Sequence, residues 1–178
     1  TYSPPLSRIA EIINHERVNL YAEQVVKEMG KKSGKNGSAK AGIEAIKTFL
    51  AEKKIDCTGM FILDGSGLSP HNALNARAVT ELLTAVRNDP DLYRHLYNSL
   101  PEAGKEGTLK NVFRDSIFEG RMRAKSGTID RVRAYAGYIT ALSGRELVFC
   151  IIINNYTGPV SHQNETISDI LKDFIQGY

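Results

Sequence analysis

The sequence predicts an α+β fold in which helices flank an antiparallel sheet. Three observations carry that expectation: apolar residues recur at helical spacing through the first half, the period changes to two after Arg121, and a helical stripe returns at the C-terminus. The chain has 178 residues, 42% hydrophobic and 24% charged, enough to bury a sizeable core within one compact unit.

Ser3 precedes two prolines, and Leu6, Ile9, Ile12 and Ile13 follow at helical spacing, so a first helix is predicted with Ser3 as its N-cap. Tyr21, Ala22, Val25, Val26 and Met29 share one face of a second helix that stops at Gly30. A Gly- and Ser-rich loop follows, and Ile43, Ile46, Phe49 and Leu50 mark a third helix. "GMFILDGSGLS" reads as a buried strand entering a tight turn at Asp64. "NARAVTELLTAVRNDP" is a helix ended by Asp89-Pro90. Between Pro90 and Gly120 the pattern is weak, and mixed helix and loop is expected.

From Arg121, Val132, Ala134, Ala136 and Tyr138 alternate with Arg131, Arg133, Tyr135 and Gly137, which predicts strand. The apolar run in "SGRELVFCIIINNY" predicts a further strand buried on both faces, after a turn at Ser143-Gly144. Ile167, Ile170, Leu171, Phe174 and Ile175 align on a closing helix that can cover a three-strand meander.

Composition excludes more than it selects. With 23 Lys and Arg against 20 Asp and Glu, the net charge of +3 gives no argument for nucleic acid or an anionic membrane. The basic stretch from Lys27 to Lys40 has no aromatic residue for base stacking and reads as a solvated loop. No apolar run approaches a membrane span, and no basic-then-apolar signal opens the chain. Beginning at Thr1 on a helix start, it reads as a processed or truncated piece of something longer. Four scattered histidines and two cysteines, Cys57 and Cys150, have no metal-ligand spacing, so neither a metal nor a cofactor is expected; buried thiols are favoured over a disulfide. "DGSGLSPHN" fails the nucleophile-elbow frame and reads as a structural turn.

Lys125-Ser126-Gly127 stands on a strand leading into a hairpin. An ammonium and a hydroxyl side by side can hold a carboxylate, and glycine lets a substrate backbone lie against the strand. The Thr128 amide then stands where an oxyanion would form. Taken without context, the triplet reads as a solvent-facing lysine before a bulge glycine.

The segments 3–30, 59–72 and 123–156 together resemble, in order and spacing, the C-terminal half of the D-alanyl-D-alanine carboxypeptidase/endopeptidase family, the S13-like low-molecular-weight penicillin-binding proteins. The resemblance implies the serine β-lactamase/DD-peptidase fold, with residues 1–178 as the C-terminal portion of a single catalytic domain. It implies action on peptidoglycan stem peptides outside the cytoplasm and recognition by β-lactams. Of the family's three motifs, only Lys125-Ser126-Gly127 is intact. No Ser or Thr is followed three places later by Lys, so the SxxK nucleophile is expected on sequence upstream. The Ser-x-Asn motif reads Arg17-Val18-Asn19.

On this resemblance Lys125 and Asn19 take the catalytic roles, and Ser126, Gly127, Thr128 and Arg17 bind substrate. A guanidinium has no acceptor and cannot relay a proton as the serine would, so turnover is expected to be impaired even in a complete protein. Two functions follow: a fragment of a serine DD-carboxypeptidase/endopeptidase acting through an acyl-enzyme, inactive alone, or a peptidoglycan-binding pseudoenzyme. A β-lactamase is a weaker third reading, since it needs a deacylation base and none is found. Apolar patches, covered by a second copy in a dimer, are expected where the upstream part would pack.

Overall fold

The computed structural model describes residues 2–178, apart from the side chain of Ser116. Six helices surround one sheet: α1 Leu6–Glu16, α2 Asn19–Lys32, α3 Ala39–Glu52, α4 Ala76–Arg87, α5 Pro90–Ser99 and α6 Val160–Gly177. The sheet holds β1 Met122–Ile129, β2 Val132–Thr140 and β3 Glu146–Asn154 in the order β1-β2-β3, all antiparallel. This is the predicted meander under a terminal helix.

Local chemistry starts three of the helices. Ser38 accepts from Ala41 N at 3.2 Å, Asn75 from Ala78 N at 2.6 Å, and Asp89 from Leu92 N at 3.1 Å with Pro90 behind it. The first helix departs from expectation. It begins at Leu6 with Pro5 at the cap and no side-chain cap bond, so Ser3 lies outside it. Gly30 does not end α2 either; the helix continues to Lys32, and a Cβ at Gly30 would stand 2.7 Å from Gly42 N of α3. That glycine is there for close helix packing.

One frame of the sheet packs under α6. Met122, Ala124, Tyr135, Ile139 and Phe149 join Ile167, Leu171, Ile175, Leu109, Phe113 and Phe118 in the main core. The more deeply buried frame of β2 is therefore the one holding Arg133, Tyr135 and Gly137. The opposite face meets α4 and α5 near the β2–β3 turn, where Tyr138 packs edge-on against Tyr93 and donates to Leu83 O at 3.0 Å. Toward the β1–β2 turn, Ala134, Ala136, Cys150 and Ile152 stay half-exposed.

Two further expectations are corrected. Residues 60–64 form no buried strand: a lone bridge joins Phe61 to Ala73, Phe61 is 61% exposed, and the side chains stand out because no strand pairs alongside. The strand expected to be buried on both faces, β3, is an edge of the sheet and mostly half-buried. The turn after Phe61 is structural as predicted, since Asp64 accepts from Gly67 N at 2.6 Å, Ser69 N at 2.7 Å and Asn72 Nδ2 at 3.0 Å. Cys57 and Cys150 are free thiols, both half-buried. Among the described residues no helix is long and apolar enough to cross a membrane.

Candidate active site

Strand β1 is the other edge of the sheet, and its hydrogen bonds decide which of its amides are available. Ala124 N donates outward to Pro101 O at 3.2 Å, and Met122 O accepts outward from Ala103 N at 3.0 Å. Arg121 O instead faces β2 and accepts from Thr140 N. Antiparallel pairing alternates along the strand, and the register runs unbroken from Met122↔Ile139 to Ile129↔Val132. Ser126 and Thr128 thus share the outward frame of Met122 and Ala124. The segment Pro101–Ala103 covers that edge as far as Ala124; beyond it Ser126 is buried, and the half-exposed Thr128 points its amide away from β2.

The pleat separates two side chains that were expected side by side. Ser126 turns to the buried face, 2% exposed, and donates through Oγ to Thr108 Oγ1 at 2.8 Å. Lys125 projects from the opposite face and bends back so that Nζ donates to Ser126 O at 2.6 Å. Lys125 Nζ therefore reaches the outward frame of the strand, while the Ser126 hydroxyl is held inside by Thr108. Gly127 follows without a steric reason inside the chain: a Cβ there would meet Ala134 Cβ at 3.6 Å, an ordinary contact. Gly137 differs, because a Cβ would stand 2.7 Å from Ala124 Cα.

Helix α1 brings the second part of the site. Asn14 Nδ2 donates to Ser99 Oγ of α5 at 2.9 Å, and His15 lies so close to Gly107 that a Cβ on the glycine would stand 2.9 Å from His15 Cα. The next residue, Thr108, is the one that accepts from Ser126. Arg17 then turns the chain into α2 with φ 56 and ψ 43. A non-glycine residue in this left-handed region costs about 1–3 kcal/mol. Asn19 follows, exposed, as the first residue of α2.

The electrostatics join the two parts. Burial, then the guanidinia of Arg17 and Arg133, push the Lys125 ammonium down to about 8. Arg17 also acts on Tyr135, and the turn at Gly107–Leu109 packs on both α1 and β1. The result is an electropositive edge with outward amides, suited to a carboxylate and an extended peptide backbone. No group of metal-ligating residues occurs among the described residues.

Sequence reasoning missed four members of this region: Thr108, Arg133, Tyr135 and Asn164. Arg133 is buried and donates to Thr128 Oγ1, Tyr135 OH and Asn164 Oδ1. Its signal was present as a charged residue in a strand frame that otherwise carries Tyr135, Gly137 and Ile139 into the core. Thr108 sits in a 3₁₀ turn, Gly107–Leu109, within the stretch that has no periodicity.

A family described as D-Ala-D-Ala carboxypeptidase 3 (S13) matches residues 1–174. Carboxypeptidase DacB of Mycolicibacterium smegmatis is 36% identical over 163 residues, covering 88% of this chain and 35% of its own length. D-alanyl-D-alanine carboxypeptidase of Actinomadura sp. strain R39 is 35% identical over 147 residues, covering 79% of this chain and 27% of its own length. The chain spans about a third or less of these curated relatives. Penicillin binding protein 4 (dacB) from Haemophilus influenzae superposes with a TM-score of 0.89 at 23% identity, over 98% of this chain and 40% of that one. TLA-3 extended-spectrum β-lactamase superposes with a TM-score of 0.72 at 12% identity, over 97% and 64%.

Proposed function

The chain belongs to the D-Ala-D-Ala carboxypeptidase 3 (S13) family, and on that premise we propose that it is the C-terminal portion of one penicillin-binding catalytic domain. Its fold is that of the penicillin-binding DD-peptidases and β-lactamases. The reaction is hydrolysis of D-Ala-containing peptidoglycan stem peptides through an acyl-enzyme, formed on a serine that lies outside these 178 residues. Such substrates place the protein outside the cytoplasm, and β-lactams are its inhibitors.

One observation carries this reading: β1 is an edge strand whose Thr128 amide points away from β2, with Lys125 Nζ folded onto the same outward frame at Ser126 O. An extended peptide adds there by main-chain hydrogen bonds. Lys125 and Ser126 hold its terminal carboxylate by charge-assisted bonds, with Arg17 as a further cation at the same end. Gly127 gives the peptide room. The Thr128 N–H donates to the oxyanion that develops as the carbonyl is attacked, and Asn19 holds the substrate amide.

A fluorescent penicillin tests the proposal. The full-length protein should label covalently and the isolated chain should not. Labelling of the isolated chain would overturn the assignment of the nucleophile to outside sequence.

Arg17 favours a second reading. It stands where relatives of this fold would place a relay hydroxyl, and its guanidinium stays protonated, so the site binds the stem peptide without turning it over. Full-length protein that binds a stem peptide yet forms no acyl-enzyme decides for this pseudoenzyme.

A further inference from the structure

We propose that Arg133 is a positioning residue: held to Tyr135 and to Asn164 of α6, it fixes Thr128 and with it the open end of β1. The inference rests on the reading of that edge as the peptide-binding strand.

Arg133 is 7% exposed. Its Nε donates to Asn164 Oδ1 at 2.9 Å, Nη1 donates to Thr128 Oγ1, and Nη2 donates to Tyr135 OH. Tyr135 OH donates a hydrogen bond to the same Asn164 oxygen at 2.9 Å. The guanidinium also lies 4.5 Å from the Tyr135 ring centroid. Burial pushes the Tyr135 phenol up, which keeps it a donor.

All three acceptors are neutral. A buried charge facing neutral groups is an expensive way to fill a core, and an apolar side chain would pack there more cheaply. What arginine adds is a rigid planar fork of donors that joins β1, β2 and α6 in one network. Thr128 and Arg133 are directly opposite in a pair that does not exchange main-chain bonds, the arrangement in which side chains come closest. Thr128 Oγ1 is occupied as an acceptor, so its hydroxyl proton turns away from Arg133 while its amide faces the open edge. Without this network the residues of β1 after Ser126, which itself bonds Thr108, would have hydrogen bonds to β2 alone among the described residues.

The test uses full-length protein with Arg133→Lys, Thr128→Val and the double variant. Two readouts apply: the second-order rate of acylation by penicillin per folded molecule, and amide hydrogen exchange at Gly127 and Ile129, the end-of-strand residues in the frame that bonds to β2. Arg133→Lys keeps charge and loses the fork, and it should slow acylation about 10- to 100-fold. Exchange at the two amides should accelerate about tenfold. Thr128→Val should give a similar loss of rate, and the double variant no more than the larger single effect.

If Arg133→Lys fails to fold, Asn164→Ala on α6 carries the same expectations. A variant that melts earlier while both readouts stay within about twofold of wild type would show a purely structural arginine and overturn the proposal. Multiplying effects in the double variant would overturn it too. If the wild-type protein is never acylated, the enzyme reading fails separately, and exchange alone decides the clamp: tenfold acceleration supports it, and unchanged exchange overturns it.

Discussion

Lys125 is a cation placed among cations. Burial is the larger cause of its depressed pKa of about 8, with Arg17 and Arg133 adding repulsion. A lysine lowered on folding destabilises the folded state wherever it must stay charged. That penalty is fully present below pH 8 and is relieved as pH rises from about 8 toward the ordinary lysine value. Wild-type stability relative to Lys125→Met should therefore rise between pH 7 and pH 10 in urea titrations, and parallel pH profiles would contradict it. Affinity for a carboxylate ligand should fall over the same window, as the ammonium is lost. At position 17, Arg17→Ser removes a cation and restores a hydroxyl. The Lys125 pKa should move up, and acylation of full-length protein should rise by about 10²; an unchanged rate would remove Arg17 from the catalytic account. The Lys-Ser-Gly triplet was legible as three adjacent letters with matching chemistry. Arg17 was legible only through its frame with Asn19. Arg133 was not legible as a site residue, because nothing in a strand pattern says which face meets a helix.

Strands β1 and β2 carry two glycines that look alike in sequence and differ in what surrounds them. Gly137→Ala would drive a methyl group to 2.7 Å from Ala124 Cα. Overpacking of this kind costs about 1–3 kcal/mol, or roughly 2–4 °C of melting temperature per kcal/mol in a chain of this size. Gly127→Ala meets only an ordinary contact with Ala134 among the described residues, so stability should change by less than about 0.5 kcal/mol while binding of a stem peptide or β-lactam weakens. Melting curves and acylation rates on the pair separate the two roles, and equal loss of stability in both would contradict them. Elements with strong periodicity, α2 to α4, the β1–β2 hairpin and α6, were legible because their apolar stripes match the helix or strand period. The turn region at Phe61 was misread because a short apolar run says nothing about whether a partner strand exists. The stretch between Pro90 and Gly120 was legible only as mixed helix and loop, as α5 and two 3₁₀ turns bear out, and its cover over β1 was not legible because it is made by backbone contacts of a loop, such as Ala103 to Met122.

As a whole, the chain holds a main core under α6 while both sheet edges are open in part. Strand β3 presents nine residues, Glu146–Asn154, along an unpaired edge, and Phe61, Leu63, Leu68 and Leu74 stand half-exposed or more. Open apolar edges of this length promote association. The isolated chain should bind a hydrophobic dye and self-associate in sedimentation, and full-length protein should do neither; a monomeric, dye-silent fragment would contradict this. Fold class and family were legible because three separated segments kept their order and spacing. The most direct measurement is a crystal structure of the full-length protein acylated by penicillin. The expected result is an adduct on a serine outside residues 1–178, lying along β1 with its carboxylate bonded to Lys125 or Ser126 and its carbonyl oxygen on the Thr128 amide. An adduct seated away from that edge would contradict the account.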